Sequence, residues 1–535
     1  KAVTLAILMV IMNMSGLSGA FAGELDERQD KRETHTSTGT WGSTERTFQE
    51  NSTISAGKTH TCMVVDNGSV YCWGEGQQSA LGNDQGPDDN GGSDSGTPRL
   101  VHFPSGYSYS TTAVGVSAGK HFTCALMDDG SVVCWGDGAN EVNNGDGSLV
   151  DRTHPTSAIP LGDEAIAITA GRNHMCAVLE NGSAYCWGYG YYGQMGNGQR
   201  TESNSVTQVS LPSGYTAVSI SAGRDTTCAF MSDSSVWCWG NNYYGQLGDG
   251  TRCQSSTFDD GCNGYGGKNS PVEVSVLPST FTVVKVQSSQ YFTCYLSDQY
   301  EVRCVGYLVY WGGWEQIYTT TRSITNDLIG TTVKAIDFST TSGESGTMCI
   351  IDTSFAVICA GDNTLGRSGL GVSQDYWYWY YFGPSYSYDL YQENTSGRRV
   401  TGITMGAEHG CRVLDNATVE CWGYNYAGGV GNGSMGGVNR LDPTPVVGEH
   451  HLEMTDLDSD LDTILSRFDN CPTGVTGWTS DSSNDFDQDG CRDSDEDTDD
   501  DADGAADSVD ADPMDPYAYR TWTAVDGFIT GTRYE

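Results

Sequence analysis

Positive charge is scarce in this 535-residue chain: 27 Lys and Arg stand against 69 Asp and Glu, for a net charge of −42. That deficit excludes nonspecific attraction to nucleic acid and argues for a soluble, self-repelling surface. Long apolar runs are scarce too. The one candidate, KAVTLAILMVIMNMSGLSGAFA at residues 1–22, is interrupted by Asn13, Ser15 and Ser18, well short of the ~20 apolar residues a membrane span requires. Its basic first residue, apolar run and Ala20, Phe21, Ala22 ending fit a secretory signal cut after Ala22, so no membrane span is expected in the mature chain up to Glu535. A third lack is catalytic: no nucleophile, base or paired-acid constellation stands out.

Cysteine, by contrast, is abundant and ordered. A Cys-x9-Cys unit recurs as Cys62 with Cys72, Cys124 with Cys134, Cys176 with Cys186, Cys228 with Cys238, Cys294 with Cys304, Cys349 with Cys359 and Cys411 with Cys421. Self-similarity of this kind marks a repeat architecture. Within the first copy, CMVVDNGSVYC is two β-prone stretches around Asp66, Asn67 and Gly68, with Gly suited to the left-handed end of a three-residue hairpin loop. That register pairs Val65 with Ser69 and sets Cys62 opposite Cys72, at a cross-strand spacing of about 4.5 to 5.5 Å that a disulfide can bridge. A zinc site is the competing use of paired cysteines, but each isolated pair lacks the two further ligands of a closed site. The remaining cysteines also have near neighbours: Cys253 with Cys262 in a polar insertion, and Cys471 with Cys491 towards the C-terminus. Eighteen cysteines with nearby partners agree with export into an oxidising space.

Two further strands are readable in each unit. Residues 217–222 lead into Ser-Ala-Gly before the first cysteine strand, and residues 271–276 (PVEVSV) alternate polar and apolar between copies. Four strands per copy make a propeller blade. Seven blades in a ring leave only short, protected sheet edges. The expected fold is therefore all-β, a seven-bladed β-propeller followed by a C-terminal, core-poor, Asp-rich segment.

The sentence AGRNHMCAVLENGSAYCWGYGYYGQMGNG at residues 170–198 resembles the repeat of the regulator-of-chromosome-condensation family, whose pattern is Gly-x-x-His, then Gly-x-Val-Tyr-x-Trp-Gly, then Gly-Gln-Leu-Gly. The resemblance covers residues 54–448 and is closest in copies three and four. Copies five and six depart from it, with Val305-Gly306 and Ala360-Gly361 where Trp-Gly stands at Trp73, Trp135, Trp187, Trp239 and Trp422, so those blades are expected to be distorted. His60, His174 and His409 sit two residues before the first cysteine; the resemblance assigns them to the framework, each serving its own blade. It also implies a rigid disc that presents loops to a macromolecule: the best-known member is an exchange factor for a small nuclear GTPase, and secreted relatives include a β-lactamase inhibitor. Expected export argues against carrying over the nuclear role.

Two aromatic insertions are candidate ligand-binding surfaces: Tyr310, Trp311 and Trp314 in one, Trp377, Trp379 and Tyr381 in the other. Tyr and Trp bury large areas at small entropic cost, still hydrogen-bond, and stack on sugars. Equally, the insertions could pack on their own degenerate blades. Asn51, Asn67, Asn181, Asn394, Asn416 and Asn432 begin glycosylation triplets.

Between Asp456 and Asp515 lie 21 acidic residues against Arg467 and Arg492. Asp485, Asp487, Asp489, Asp493 and Glu496 fall at positions 1, 3, 5, 9 and 12 of a calcium loop with Gly490 at 6; Asp499, Asp501, Asp503, Asp507 and Asp510 repeat the spacing. Flanking amphipathic helices are lacking, which argues against an EF-hand. With Asp469, Asn470, Cys471 and Pro472 before it and Asp512, Pro513 after, the stretch resembles the thrombospondin type 3 repeat. The resemblance implies bound calcium and a staple joining Cys471 with Cys491; a disordered acidic linker is the alternative.

The expected organisation is thus a signal peptide at 1–22, a polar segment at 23–50 that could join ring closure, a propeller at 51–452, a calcium-binding stalk at 453–516 and the start of a C-terminal segment at 517–535. The expected role is that of a secreted or cell-surface, non-enzymatic interaction or adhesion protein whose partner is an extracellular protein or glycan. The alternatives are a secreted hydrolase such as a glycosidase, which needs two carboxyl groups roughly 5 to 9.5 Å apart, and a structural component of a surface layer or filament. Calcium at roughly 10⁻⁴ to 10⁻³ M, the range of extracellular modules, should convert residues 469–516 from protease-sensitive to protected, and Asp487→Ala with Asp489→Ala should weaken that effect. Calorimetry without heat and unchanged proteolysis at millimolar calcium would reduce the segment to a linker.

Overall fold

The computed structural model describes residues 53–447, apart from 66, 85–93, 105–109, 139–144, 156, 254–265, 310–314, 325–334, 341–345, 354, 361–363, 370–397, 416–417, 437–438, together with 521–522 and 531–532. All lie in the second of two units, Gly42–Glu535. The expected signal peptide, the 23–50 segment and the calcium stalk at 453–516 lie outside the described residues.

Seven antiparallel sheets follow one another as blades. Blade one is Ile54–Ala56, His60–Val64, Val70–Gly74 and Ser95–Leu100. Blade two is, among the described residues, Ala113–Ala118, Phe122–Met127 and Val132–Gly136, with single bridges from Val133 to Ala158 and from Gly136 to Arg152 beside the third strand. Blade three is Ala165–Ala170, His174–Leu179, Ala184–Gly188 and Ser203–Gln208. Blade four is Ala217–Ala222, Thr226–Met231, Val236–Asn241 and Gly267–Glu273. Blade five is Val283–Ser288, Phe292–Ser297, Val302–Val309 and Glu315–Ser323. Blade six is Ala335–Thr340, Met348–Asp352 and Val357–Ala360. Blade seven is Val400–Met405, His409–Leu414, Val419–Gly423 and Arg440–Pro445. A short pair, Thr521–Trp522 with Gly531–Thr532, lies beyond the propeller.

The central hairpin of each blade explains the cysteine spacing. Val65 N–H donates to Ser69 O at 2.9 Å, and Gly68, at φ 77°, closes the turn. Ladder hydrogen bonds alternate outward from that pair, so Cys62 and Cys72 face each other as a non-hydrogen-bonded pair, where side chains come closest. Each of the seven hairpin pairs is bonded as expected: Cys62 with Cys72, Cys124 with Cys134, Cys176 with Cys186, Cys228 with Cys238, Cys294 with Cys304, Cys349 with Cys359 and Cys411 with Cys421. Their Cα separations are 4.0 to 4.1 Å, slightly inside the expected spacing. Such short loops place each staple at the low end of the ~2 to 4 kcal/mol typical of disulfides. Cys253 is buried and disulfide-bonded as well, whereas Cys262, Cys471 and Cys491 lie outside the described residues.

Successive strand residues point to opposite sheet faces, so the dipeptide Cys-Trp assigns one residue to each neighbouring blade. Cys62 and Cys72 pack with Ala125 and Met127 of blade two. Trp73 faces the other way, against Val413 and Val430 of blade seven. The indole also hydrogen-bonds backwards: Trp73 Nε1 donates to Gly429 O at 3.0 Å, Trp135 to Ala80 O at 2.9 Å, Trp239 to Gln194 O at 2.8 Å and Trp422 to Arg367 O at 2.7 Å. The last Gly of the Gly-Gln-Leu-Gly element lies flat on that ring, since a Cβ on Gly196 would come within 2.7 Å of Trp239. Blade five, which has Val305 in place of Trp, keeps its four strands because fully buried Tyr295 occupies the space, its hydroxyl 2.8 Å from where a Gly248 Cβ would stand. Blade six shows three strands among the described residues.

At the axis the first strands form a closed cycle of hydrogen bonds. Ser55 Oγ accepts from Ala118 N at 3.0 Å, Ser117 Oγ from Ala170 N at 2.8 Å and Thr169 Oγ1 from Ala222 N at 2.9 Å. Ser221 Oγ accepts from Ser288 N at 3.0 Å, Gln287 Oε1 from Thr340 N at 2.9 Å and Ser339 Oγ from Met405 N at 3.0 Å. Thr404 Oγ1 then accepts from Ala56 N at 3.0 Å, which joins blade seven to blade one. Among the described residues no helix is long and apolar enough to cross a membrane.

Candidate functional site

Strand direction gives the propeller two chemically different faces. The first strand of each blade leads into a tight loop, and the third strand leads into a longer one; both loops emerge on one face. The central hairpin turns emerge on the other.

A cation recurs in the tight loops of the first four blades. Lys58, Lys120, Arg172 and Arg224 occupy the same position in blades one to four, each after a glycine that ends the first-strand motif. Gly57, Gly171 and Gly223 are required there because a Cβ would fall 2.3 to 2.4 Å from a carbonyl oxygen of the next blade. Blade-to-blade bonds hold the arc: Lys58 N–H donates to Gly119 O at 3.1 Å and Lys120 N–H to Arg172 O at 2.9 Å. The four side chains are half-buried. Their field reaches His121, whose pKa falls to about 3, first through burial and then through Lys120, His60, Lys58 and Arg172. Anionic groups border the arc: Lys58 lies 4.0 Å from Glu408, and Arg224 lies 3.2 Å from Asp225. Burial pushes Asp225 up to about 6 although Arg224 and Arg172 oppose the shift.

On the same face lie tyrosines that follow the third strands and, with Tyr291, one in the tight loop of blade five. Tyr189 and Tyr191 have ring centroids 5.0 Å apart, Tyr243 and Tyr244 4.9 Å, Tyr244 and Tyr291 5.4 Å, and Tyr424 and Tyr426 6.4 Å. Tyr191, Tyr243 and Tyr426 are exposed. The opposite face carries acid at its hairpin turns: Asp128, Asp129, Glu180, Asp233, Asp298, Asp352 and Asp415.

The aromatic candidates Tyr310, Trp311, Trp314, Trp377, Trp379 and Tyr381 and all ten candidate calcium ligands lie outside the described residues. The cation arc and the tyrosine arc were not singled out by sequence reading. Their signal was present, as a Lys or Arg one residue after Ala-Gly in four copies and as tyrosines shortly after Trp-Gly in three.

The three framework histidines are structural, but they do not serve their own blades. Position alternation turns each towards the next blade: His60 Nε2 meets Thr123 Oγ1 at 2.9 Å, His174 Nε2 meets Thr227 Oγ1 at 2.8 Å, and His409 Nε2 meets Thr61 Oγ1 at 2.6 Å across the closure. Thr227 Oγ1 donates onward to Gln194 O at 3.0 Å, so it accepts a hydrogen bond from His174 Nε2–H. Where a blade has Phe at the histidine position, the next has Met: Phe122 packs with Met175 and Phe292 with Met348. Burial holds His60 and His174 down to about 3 and His409 to about 4, so all three are neutral at pH 7.

The chain matches the regulator of chromosome condensation (RCC1) repeat at residues 52–79, 113–141, 165–194 and 217–246, and a second form of that repeat at 67–126, 181–230 and 233–296. It is 29% identical over 198 residues to the E3 ubiquitin-protein ligase HERC2 of Homo sapiens, covering 37% of this chain and 4% of that protein. It is 30% identical over 202 residues to the RCC1 domain-containing mitochondrial protein RUG3 of Arabidopsis thaliana, covering 37% and 43%, and 30% identical over 198 residues to the ultraviolet-B receptor UVR8 of the same plant, covering 37% and 42%. The chain therefore spans less than half the length of these relatives. In fold it is similar to Prp20p of Saccharomyces cerevisiae, with a TM-score of 0.58 at 18% identity over 81% of this chain and 92% of that one, and to human WBSCR16, with 0.53 at 17% over 71% and 94%. The matches to the RCC1 repeat thus fall within residues 52–296, in blades one to four and the start of blade five of the seven-bladed propeller.

The neutral histidines predict acid sensitivity. Their folded-state pKa values lie below the unfolded value near 6.5, so their stability contribution is full above about pH 6.5 and is lost as pH falls towards 4. Asp225 has the opposite sign, its contribution being lost as pH rises through about 6. His174→Phe with Thr227→Met copies the Phe122 and Met175 pair and should fold, with a shallower loss of melting temperature between pH 7.5 and 5 than the parent. An unchanged slope would show that His174 is not buried in its neutral form.

Proposed function

We propose that this RCC1-repeat propeller is a non-enzymatic interaction module, exported to the cell exterior, that engages an acidic protein or glycan through the face carrying Lys58, Lys120, Arg172 and Arg224. The observation that carries this reading is the placement of charge. In a chain of net charge −42, four consecutive blades repeat a cation at the mouth of the ring, bordered by exposed tyrosines. A repeated row of cations offers an anionic partner several points of attraction in an otherwise acidic chain. Tyrosines beside it supply rigid area that both buries and hydrogen-bonds.

Export is supported by the seven hairpin disulfides, a kind of bond that persists in oxidising compartments. A binding role is supported by what related propellers do: Prp20p binds Gsp1p and histones, and Kap60 binds yeast RCC1 (Prp20). Those partners are not carried over. On catalysis, Asp225 is the one carboxyl group with a raised pKa among the described residues, whereas glycoside hydrolysis needs two carboxyl groups with divided roles. The acidic segment at 453–516 completes the proposal as a calcium-stiffened stalk that holds the disc away from its attachment.

Proximity capture at the native cell surface should compare the full chain with two variants. Lys58→Glu, Lys120→Glu, Arg172→Glu and Arg224→Glu together should remove the captured partners or weaken them about tenfold or more. Asp128→Asn with Asp233→Asn, on the other face, should leave them. Equal capture by all three proteins would reject the assigned face.

A further inference from the structure

Away from the cation arc, two histidines and an aspartate meet at the junction of blades one and two. Asp84 follows the Ala-Leu-Gly element of blade one, His102 follows that blade's last strand, and His154 comes from the outer segment of blade two. Oδ2 of Asp84 faces His102 Nδ1, and Oδ1 faces His154 Nδ1. The two imidazole centroids are 5.5 Å apart, and the potential ligand atoms of the three residues all lie within 4.8 Å of one another. Thr153 Oγ1 also approaches His154 Nδ1, at 3.2 Å.

The repeats themselves provide the comparison. Asp84 N–H donates to Thr153 O of the next blade at 3.1 Å; the matching bonds elsewhere run from Gly147 to Asn204 O, Gly198 to Asn269 O and Gly433 to Gly96 O. Asp84 therefore occupies a position that three other junctions give to glycine, and it takes the same left-handed backbone, φ 64° against 79° to 83°. His102 N–H donates to Gly82 O at 2.9 Å, the place of Ser210 on Gly196 and Val447 on Gly431. His154, one residue after Thr153, stands where Ser205, Ser270 and Thr97 stand after Asn204, Asn269 and Gly96. Side-chain geometry agrees with this alignment. A Cβ built on Gly147 points at Ser205 Oγ at 3.4 Å, one on Gly198 at Ser270 Oγ at 4.0 Å, and one on Gly433 at Val447 Cγ2 at 3.3 Å. The same niche thus holds Gly147 with Ser205, Gly198 with Ser270 and Ser210, and Gly433 with Thr97 and Val447 at three other junctions, and Asp, His and His at this one. A left-handed aspartate costs more than the glycine it replaces, so the exchange is not explained by the backbone.

We propose that Asp84, His102 and His154 form a binding site for a divalent transition-metal ion of the zinc class. Two imidazole nitrogens and a carboxylate oxygen are the donor set such ions favour, whereas calcium and magnesium favour oxygen alone. The side chains are 44%, 53% and 25% exposed, which leaves coordination positions open to water or to a ligand atom from a partner. The ion ties blade one to blade two at their outer edge, and the site is independent of the cation arc.

The test uses the full chain stripped with chelator. Zn²⁺ titration should show one more ion bound by the parent than by the variant Asp84→Gly, His102→Ser and His154→Ser, and Co²⁺ should give imidazole-dependent visible bands only in the parent. Each substitution installs a residue that other junctions already use, so the variant should keep its disulfides and its metal-free melting temperature. Each single substitution should weaken zinc binding by about tenfold or more. Carboxylates of the acidic segment and His450 and His451 are common to both proteins and cancel in the comparison. Equal zinc stoichiometry and equal Co²⁺ spectra in parent and triple variant would overturn the proposal, as would no zinc binding by the parent at millimolar concentration.

Discussion

The propeller depends on a short, repeated interaction at its axis: the penultimate residue of each first strand offers a side-chain oxygen to the last backbone N–H of the next. One such bond contributes only about 0.5 to 1.5 kcal/mol net, but a buried N–H left without its acceptor costs about 1 to 3 kcal/mol. All seven donors, Ala56, Ala118, Ala170, Ala222, Ser288, Thr340 and Met405, are buried. No blade can therefore leave the ring without stranding polar groups on both of its neighbours. The same bonds fix the start of the tight loops, and so set the spacing of Lys58, Lys120, Arg172 and Arg224 around the mouth.

Farther from the axis, alternation along the strands divides the work. The disulfide of a blade faces forwards into the next blade's apolar side chains, while its tryptophan faces backwards onto the preceding blade's glycine element. The histidine two residues before the first cysteine shares the forward face, and the threonine beside it shares the backward one. Disulfide, apolar and polar side chains thus combine in different proportions at the junctions between blades, and a blade can lose one kind of contact without losing its place. Tyr295 behind Val305 in blade five is one such replacement.

Features confined to a blade were legible in the sequence. The hairpin register around Gly68, the cysteine pairing, the first strand at Ala217–Ala222 and the count of seven all follow from local spacing. The fourth strand was legible only approximately: polar alternation suggested 271–276, whereas the strand runs Gly267–Glu273, with a register shift opposite Trp239. What sequence spacing hid are the contacts between blades. That His174 answers Thr227, or that Asp84 meets His154, depends on how the copies align against one another across gaps of 52 to 66 residues. Chemistry written across junctions is visible only once each position has been assigned to a face.

The central claim is that all seven axial bonds act as one closed unit. Native-state hydrogen exchange resolved to single amides measures this directly, at Ala56, Ala118, Ala170, Ala222, Ser288, Thr340 and Met405. A closed unit predicts that all seven exchange only through global opening, with the same protection and the same dependence on denaturant. Fast, denaturant-independent exchange at Ala56 or Met405, with the other amides still protected, would show that the ring opens at blade seven while the rest stays folded, and would contradict the account.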